Sequence, residues 1–161
     1  MILGHAHIQP GSSHAAGRKL LEDLYTTHIG APMPPVLVTD RGKPYFEGDP
    51  VYFSITHTKH HVFCALSHRP IGIDAEEADR DIDLRLAEKL LSPKEKAQWS
   101  ACPDKRLGLL CFWVLKESYA KLCGRGWGSY LCETDFDLND PRIQKTDGCL
   151  LAVIQEEAHA V

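Results

Sequence analysis

Two carboxylates stand one residue apart at the end of an apolar run that has the pattern of a β-strand. The run is IGIDAEE, residues 71–77, and it contains Asp74 and Glu76. Side chains two positions apart on a strand point to the same face, and two like charges so placed repel each other unless a positive charge lies between them. Because Mg²⁺ prefers carboxylate oxygens, the pair predicts half of a magnesium site, with two solvated acids at a strand end as the alternative.

A long helical pattern farther along the chain supplies a third carboxylate and an amine. Trp113, Glu117 and Lys121 follow one another at intervals of four residues, so they share one face of the predicted helix. A surface Glu–Lys pair is the alternative interpretation of this face. We expect Glu117 to complete the metal site of the two strand carboxylates, and Lys121 to place a cation near phosphate charge or to donate a proton.

A second strand pattern ends in a histidine. Phe53, Ile55 and His57 alternate with residues that carry hydroxyl groups. A histidine in this position can donate a hydrogen bond to a phosphate, and a structural or solvated histidine is the alternative. Lys43, in a Gly-Lys-Pro turn, is another residue whose charge could meet a phosphate.

The other histidines and the cysteines predict no metal site. His60 and His61 lie with His57 in a turn that lacks the spacing and the fourth ligand usual for zinc. His5 and His7 are predicted to lie in a mobile terminus. The six cysteines form no Cys-x-x-Cys pair, which favours a reduced cytoplasmic protein without disulfides or zinc.

Composition narrows the class of protein. With 161 residues, 43% of them hydrophobic, the chain can form one core or two small lobes. The net charge of −4 gives no overall basic field for nucleic acid. No apolar run approaches the roughly 18 residues of a membrane span, and the first residues lack the pattern of a secretory signal. We therefore expect a cytoplasmic protein that binds neither nucleic acid nor membrane.

The elements that must position these residues follow in the order helix, strands, helices, strands, which predicts an α+β fold. The first helix is predicted to end at Gly30, and short links between the next three strands predict an antiparallel meander. Ser92, Pro93 and Glu95 predict a capping box at the start of a later helix. The predicted strands are 51–58, 61–67, 71–77, 131–138 and 149–157, and the helices after residue 80 are about 83–91, one from Ser92, and 105–123.

Four segments, taken in order, resemble the 4′-phosphopantetheinyl transferase superfamily, and its Sfp-type branch in particular. They are Gly42-Lys43-Pro44, Thr56-His57-Thr58, Gly72-Ile73-Asp74-Ala75-Glu76, and the helix from Trp113 to Lys121. The resemblance implies two similar α+β lobes, in which helices pack on antiparallel sheets, with the site between the lobes. It implies a single transferase domain over residues 1–161, with a shortened first lobe at about 1–70 and a second lobe at about 71–161.

The resemblance also implies a reaction. Asp74, Glu76 and Glu117 would hold Mg²⁺ on the pyrophosphate of coenzyme A, with Mn²⁺ left open. The 4′-phosphopantetheine arm would pass to a serine of an acyl or peptidyl carrier protein, and 3′,5′-ADP would leave. Lys121 would stabilise the pyrophosphate and assist the leaving group, and His57 would contact the phosphates. Glu117 is the nearest candidate base, with a water molecule as the alternative.

The same resemblance implies which residues bind coenzyme A. Thr56 would lie beside His57 at the phosphates, and Lys43 with Pro44 would line the nucleotide end. Arg18 would contact the 3′-phosphate. Because few residues precede the first helix, we expect the grip on the nucleotide to be the weakest part of the site.

The implied partner is acidic, and so is this chain, so docking requires a local basic patch. The predicted contributors are Lys105, Arg106, Lys116, Lys121 and Arg125.

Two other functions stay open at this point. One is a non-catalytic relative that binds coenzyme A or a carrier protein. The other is a different Mg²⁺-dependent phosphoryl enzyme, such as a nuclease, although no basic stripe supports nucleic-acid binding. The sequence also leaves open whether the protein is a monomer or a homo-oligomer.

Overall fold

Antiparallel strand pairs, covered by helices, make up the chain, and this confirms the α+β prediction. The computed structural model describes residues 1–128 and 130–157. Within these residues the strands are β1 (Ile2–His7), β2 (Val36–Val38), β3 (Pro44–Phe46), β4 (Tyr52–His57), β5 (His61–Ser67), β6 (Ile71–Glu77), β7 (Ile143–Thr146) and β8 (Cys149–Gln155). The helices of the same part of the chain are α1 (Ser13–Ile29), α2 (Ala87–Leu90), α3 (Pro93–Ala101), α4 (Lys105–Cys123) and α5 (Tyr130–Glu133).

The first sheet has the strand order β1-β5-β4, and α1 covers one of its faces. α1 ends where predicted, at Gly30, whose φ of 75° is a left-handed conformation that glycine adopts without strain. β2 and β3 form a separate two-stranded hairpin. The buried cluster between α1 and the strands includes Leu21, Tyr25, Phe46, Phe53, Cys64 and Leu66.

The first residues of the chain form a strand, so the prediction of a mobile terminus around His5 and His7 is wrong. β1 pairs antiparallel with β5 along its whole length, from Ile2 opposite Leu66 to His7 opposite His61. The partner strand is more than fifty positions away, and a short strand with a polar surface has no local pattern that reveals such pairing.

β6 begins a second sheet, of order β6-β8-β7, so the predicted meander of three strands is wrong at its last step. β4 and β5 pair as expected, but β6 pairs with β8 instead of β5. Side chains of β4 bond the free edge of β6, because Ser54 Oγ and Thr56 Oγ1 accept hydrogen bonds from the backbone N–H groups of Ile73 and Ala75, at 3.1 and 3.2 Å. A row of hydroxyl groups thus replaces a backbone ladder between the two sheets.

The segment 131–138 is not the strand that its pattern predicted. It begins in α5 and continues as irregular chain, while β7 lies between the two predicted strands 131–138 and 149–157. Side chains of α3 satisfy its backbone: Glu95 Oε1 accepts from the N–H of Phe136 at 2.8 Å, and Gln98 Oε1 accepts from the N–H of Leu138 at 2.9 Å. These bonds take the place of a neighbouring strand.

The helix predictions are confirmed in outline. The helix predicted at 83–91 is a 3₁₀ turn, Leu84–Leu86, followed by the short α2. α3 starts with the predicted capping box, in which Ser92 Oγ accepts from the N–H of Glu95 and Glu95 Oε2 accepts from the N–H of Ser92. α4 has the predicted bounds and ends at Gly124.

The change from the first sheet to the second occurs between β5 and β6, beside the predicted lobe boundary near residue 70. The division into a shortened first lobe and a second lobe stays a prediction. Residue 129 and residues 158–161, which the predicted second lobe includes, lie outside the described residues. No helix in the described part of the chain is long and apolar enough to cross a membrane.

Gly72 lets α4 approach β6 more closely than any other residue would. A Cβ atom at this position would lie 2.0 Å from the carbonyl oxygen of Ser118 and 2.4 Å from the backbone nitrogen of Leu122. Both neighbours are helix backbone, which cannot rotate away as a side chain can. The helix face that carries Glu117 and Lys121 therefore depends on glycine in β6 for its distance from the strand.

We predict that Gly72→Ala lowers the free energy of unfolding by about 3 kcal/mol or more, because the methyl group forces helix and strand apart. The matched control is Gly4→Ala, whose Cβ would lie 2.7 Å from a terminal carbon of Leu24, a side chain that can move. Urea unfolding followed by circular dichroism measures both. Equal stability of the two variants would show that the contact between α4 and β6 is not tight.

Candidate active site

Asp74 is a buried carboxylate in the middle of β6. It is 6% exposed, and its Oδ1 atom accepts hydrogen bonds from Lys121 Nζ at 2.7 Å and from Thr56 Oγ1 at 3.0 Å. Its Oδ2 atom is buried and finds no hydrogen-bond donor among residues 1–128 and 130–157. A buried carboxylate oxygen without a partner is costly, and a bound cation would satisfy it.

Glu76 lies on the same face of β6 as Asp74. It accepts hydrogen bonds from an Arg80 guanidinium nitrogen and from Trp113 Nε1, the latter at 3.1 Å. The Arg80 guanidinium carbon also lies 5.6 Å from the centre of the Trp113 ring, a distance typical of a cation–π contact. The sequence analysis missed Arg80, because it follows the strand in an acid-rich loop that resembles ordinary solvated chain.

Glu117 lies on α4, near enough to Asp74 for the charge of Asp74 to raise its pKa. Its Oε1 atom accepts a hydrogen bond of 2.6 Å from Trp127 Nε1, and the rings of Trp127 and Trp113 lie 5.1 Å apart. The sequence analysis also missed Trp127. A signal was available, since it is a large aromatic residue in the glycine-rich segment that follows α4, and it is 49% exposed.

The three carboxylates share a perturbed electrostatic environment. Burial raises the pKa of Asp74, against the opposing effect of Lys121. Burial and the charge of Asp74 raise the pKa of Glu76 to about 7, while Arg80 opposes the rise. Burial and the charge of Asp74 also raise the pKa of Glu117. The ionised form of the group is therefore disfavoured unless more positive charge enters.

The donor set suits a hard cation. Asp74 and Glu76 share one face of β6, the charge of Asp74 acts on both Glu76 and Glu117, and one buried oxygen of Asp74 lacks a partner among the described residues. The oxygens of the three carboxylates do not all lie within 4.8 Å of one another. Mg²⁺ prefers oxygen ligands of this kind. The grouping of Asp74, Glu76 and Glu117 around one magnesium ion stays a prediction.

A groove leads away from this group. A cavity of about 290 Å³ is lined by Glu117 and Lys121 together with the Gly42–Pro44 turn and Trp127. A second cavity of about 390 Å³ is lined by Arg18 and His57. The two cavities have Gly42, Pro44, Phe53 and Ile55 in common, so they adjoin at these residues, and we call them together the groove.

The two faces of β4 have different surroundings. Phe53, Ile55 and His57 lie along the groove. Thr56 is buried on the other face, and its hydroxyl donates to Asp74 while accepting from the N–H of Ala75. Thr56 was predicted beside His57 at the phosphates. The structure instead places its hydroxyl against the carboxylate and turned away from His57.

Lys43 lines the groove, but its ammonium group already has a partner. Its Nζ donates to the carbonyl oxygen of Leu122 at 2.6 Å, near the end of α4. Burial lowers the pKa of Lys43. The side chain therefore ties the Gly-Lys-Pro turn to α4, and its contact with a nucleotide stays a prediction.

Most residues of the predicted basic docking patch already bond other groups of the protein. Lys116 is wrong as a docking residue, because it is fully buried in an ion pair with Glu95, with 2.7 Å between Nζ and Oε2. Lys105 donates to the carbonyl oxygens at the end of α3, and Arg106 donates to those of Ala78 and Arg80. Arg125 is exposed.

Comparison with known proteins identifies a family and several relatives. Residues 70–159 match the family model of the 4′-phosphopantetheinyl transferase superfamily. The chain is 36% identical over 87 residues to the 4′-phosphopantetheinyl transferase gsp of Aneurinibacillus migulanus, covering 53% of this chain and 36% of that protein. It is 36% identical over 89 residues to the 4′-phosphopantetheinyl transferase Sfp of Bacillus subtilis (strain 168), covering 53% of this chain and 39% of that protein.

A third relative is a holo-[acyl-carrier-protein] synthase. The chain is 36% identical over 75 residues to the holo-[acyl-carrier-protein] synthase of Geobacillus kaustophilus, covering 42% of this chain and 58% of that protein. In all three comparisons the chain spans less than two thirds of the length of the relative.

We predict that Thr56→Val lowers the free energy of unfolding by about 1–3 kcal/mol, because it leaves the buried N–H of Ala75 and the Oδ1 atom of Asp74 each one partner short. Thr56→Ser keeps the hydroxyl group, so we expect a loss of only about 1 kcal/mol, due to the missing methyl group. Urea unfolding measures both. If serine and valine cost the same, the hydroxyl bonds do not contribute.

Proposed function

The chain belongs to the 4′-phosphopantetheinyl transferase superfamily, and we propose from this that it transfers the 4′-phosphopantetheine arm of coenzyme A to a serine of an acyl or peptidyl carrier protein, in a Mg²⁺-dependent reaction. One observation carries the proposal. Lys121 pairs at 2.7 Å with the buried Asp74, whose second carboxylate oxygen lacks a donor among the described residues, and Lys121 lines a cavity of about 290 Å³ together with Glu117. The same arrangement supports an enzyme rather than a binding protein that has lost its catalytic residues.

The metal would be held by Asp74, Glu76 and Glu117. The buried oxygen of Asp74 that lacks a donor supports this assignment. When bound, Mg²⁺ would neutralise the charge that develops on the pyrophosphate. Arg80 bonds Glu76 and lies over Trp113, so we expect it to compensate part of the carboxylate charge before the metal binds.

In the transfer reaction the protein would mainly position the reactants and stabilise the charge that develops on the phosphates. The serine oxygen of the carrier forms a bond to the β-phosphorus of coenzyme A, and the bond from that phosphorus to the bridging oxygen breaks. The serine proton passes to Glu117 or to a water molecule beside it, and 3′,5′-ADP leaves with the electron pair. Lys121 lines the same cavity as Glu117, where its ammonium group would stabilise the pyrophosphate and the leaving group.

The groove suggests how coenzyme A would lie. With the pyrophosphate at Lys121 and Glu117, the nucleotide would extend past Pro44 toward Arg18 and His57. We assign contact with phosphates to His57, because its side chain is exposed on the groove face of β4. We assign Thr56 to positioning Asp74, and Lys43 to holding the turn that lines the nucleotide end.

The acidic carrier protein would have to meet the positive charge left on this side of the molecule. Arg125 is exposed next to the glycine-rich segment, and Trp127 is exposed beside it at the groove. This proposed docking surface is smaller than the patch expected from the sequence. It includes neither the buried Lys116 nor the engaged Lys105 and Arg106.

We predict that Asp74→Asn and Glu117→Gln each lower the rate of transfer at least about 100-fold, because each removes a charge that holds the metal. Intact-mass spectrometry of apo carrier proteins, incubated with coenzyme A and Mg²⁺, measures the gain of one phosphopantetheine group. Glu22→Gln, on the exposed side of α1, is the matched control and should leave the rate unchanged. EDTA should abolish the gain in the wild-type protein.

Two results would contradict the proposal. If transfer persists in EDTA, and in Asp74→Asn and Glu117→Gln, the reaction does not depend on a metal held by these residues. Mg²⁺-dependent binding of coenzyme A without transfer to any carrier protein would instead favour a non-catalytic member of the family.

We predict that Arg18→Ala raises the KM for coenzyme A about tenfold with little change in kcat, because a charged contact with the 3′-phosphate is lost. Lys19→Ala is the matched control, since Lys19 pairs with Asp23 on α1. Coenzyme A that lacks the 3′-phosphate shows whether Arg18 contacts that phosphate or another part of the molecule. Arg18→Ala should not raise its KM, and an equal rise with both substrates would place Arg18 elsewhere.

A further inference from the structure

Three histidines meet on one face of the first sheet. His5 and His7 are two positions apart on β1 and therefore share a face, and His61 lies directly opposite His7 on β5. One ring nitrogen from each of the three lies within 4.8 Å of the others. The Nε2 atom of His5 and the Nδ1 atom of His61 are only 2.8 Å apart.

The surroundings fix this histidine cluster on one side and leave it open on the other. The ring of His5 stacks on Phe63, with ring centres 4.5 Å apart and planes 12° apart. His61 is buried, whereas His7 is exposed. A ligand that binds the three nitrogens can therefore enter from solvent while the inner rings are held by the sheet.

A carboxylate from the second sheet orients one of the rings. The turn between β7 and β8 is Asp147-Gly148, with φ of 47° and 74°, and it brings Asp147 Oδ2 to 3.2 Å from His5 Nδ1. A carboxylate that accepts the Nδ1 proton leaves the Nε2 lone pair pointing at His61. Metal-binding histidines commonly have a partner of this kind on the other ring nitrogen.

Burial also disfavours the protonated form of His5. Burial lowers the pKa of His5, and the neighbouring His61 and His7 lower it further, against the opposing charge of Asp147. A neutral imidazole keeps its lone pair available.

We propose that His5, His7 and His61 bind one Zn²⁺ ion through one nitrogen each, with a water molecule in the fourth position and Asp147 fixing the ring of His5. Zn–N bonds of about 2.0–2.1 Å in a tetrahedral arrangement place the ligand nitrogens about 3.4 Å apart. The spacing of 2.8 Å between His5 and His61, and the upper limit of 4.8 Å for the cluster, lie on either side of this value. Small side-chain rotations are sufficient to form the site.

This site selects a different ion from the carboxylate site. Three neutral imidazoles suit zinc, while Mg²⁺ takes oxygen ligands. Asp74 and Glu76 lie on the other side of β6 from Ala75, which packs with Phe63 beneath the histidines. The inference is therefore independent of the proposed transfer reaction. Because Asp147 belongs to the second sheet, zinc would tie the two sheets together and stabilise the folded protein.

The test uses the full chain without a histidine tag, freed of metal with a chelator and kept in a large excess of Mg²⁺. Co²⁺, as a spectroscopic substitute for Zn²⁺, should bind with a stoichiometry of one and give the visible spectrum of a tetrahedral site with nitrogen and oxygen ligands. Zn²⁺ should displace it and raise the unfolding temperature. We expect His7→Gln to abolish the spectrum, and Asp147→Asn to weaken binding about 10–100-fold.

His68→Gln, in the exposed turn after β5, is the matched control and should bind like the wild-type protein. Three results would overturn the proposal. The first is no binding at equimolar Co²⁺. The second is equal binding by His7→Gln and His68→Gln. The third is a spectrum with thiolate charge-transfer bands, which would place the metal on cysteines.

Discussion

The close approach of α4 to β6 is the constraint on which the site depends. At Gly72 the helix backbone occupies the space of a side chain. This contact sets the distance between the helix face of Glu117 and Lys121 and the strand face of Asp74 and Glu76. It brings Lys121 Nζ to 2.7 Å from Asp74 Oδ1. The bulk of the core then follows from the same contact, since the apolar residues of α4 cover the second sheet with Leu109, Phe112 and Leu115.

The three carboxylates between α4 and β6 differ in burial and in the donors that bond them. Asp74 is the most buried of the three acids and accepts hydrogen bonds from a lysine and a threonine on one oxygen, Glu76 accepts from an arginine and a tryptophan, and Glu117 accepts from a tryptophan. The donors reduce the repulsion but do not remove it, because burial still raises the pKa of each carboxyl group. The donors fix the positions of the carboxylates, and a bound cation would still stabilise their ionised form.

The parts of the site that follow from local periodicity could be predicted from the sequence. The two-residue repeat of β6 and the four-residue repeat of α4 predicted which carboxylates share a face, and the capping box predicted the start of α3. Lys116 shows the limit of this reasoning: it stands one residue before Glu117, about 100° around the helix, so it turns into the core. Arg80, Trp127 and the pairing of β6 with β8 depend on contacts across turns or between distant residues, which no local pattern contains.

β4 lines the groove with one face and bonds β6 through hydroxyl groups with the other. Because both faces of β4 have a role, the strand is sensitive to any change in its length. A single inserted or deleted residue would exchange the two faces, turning Thr56 into the groove and His57 against Asp74. Length variation among related chains should therefore be absent from β4 and concentrated in the turns on either side of it, where no alternation has to be kept.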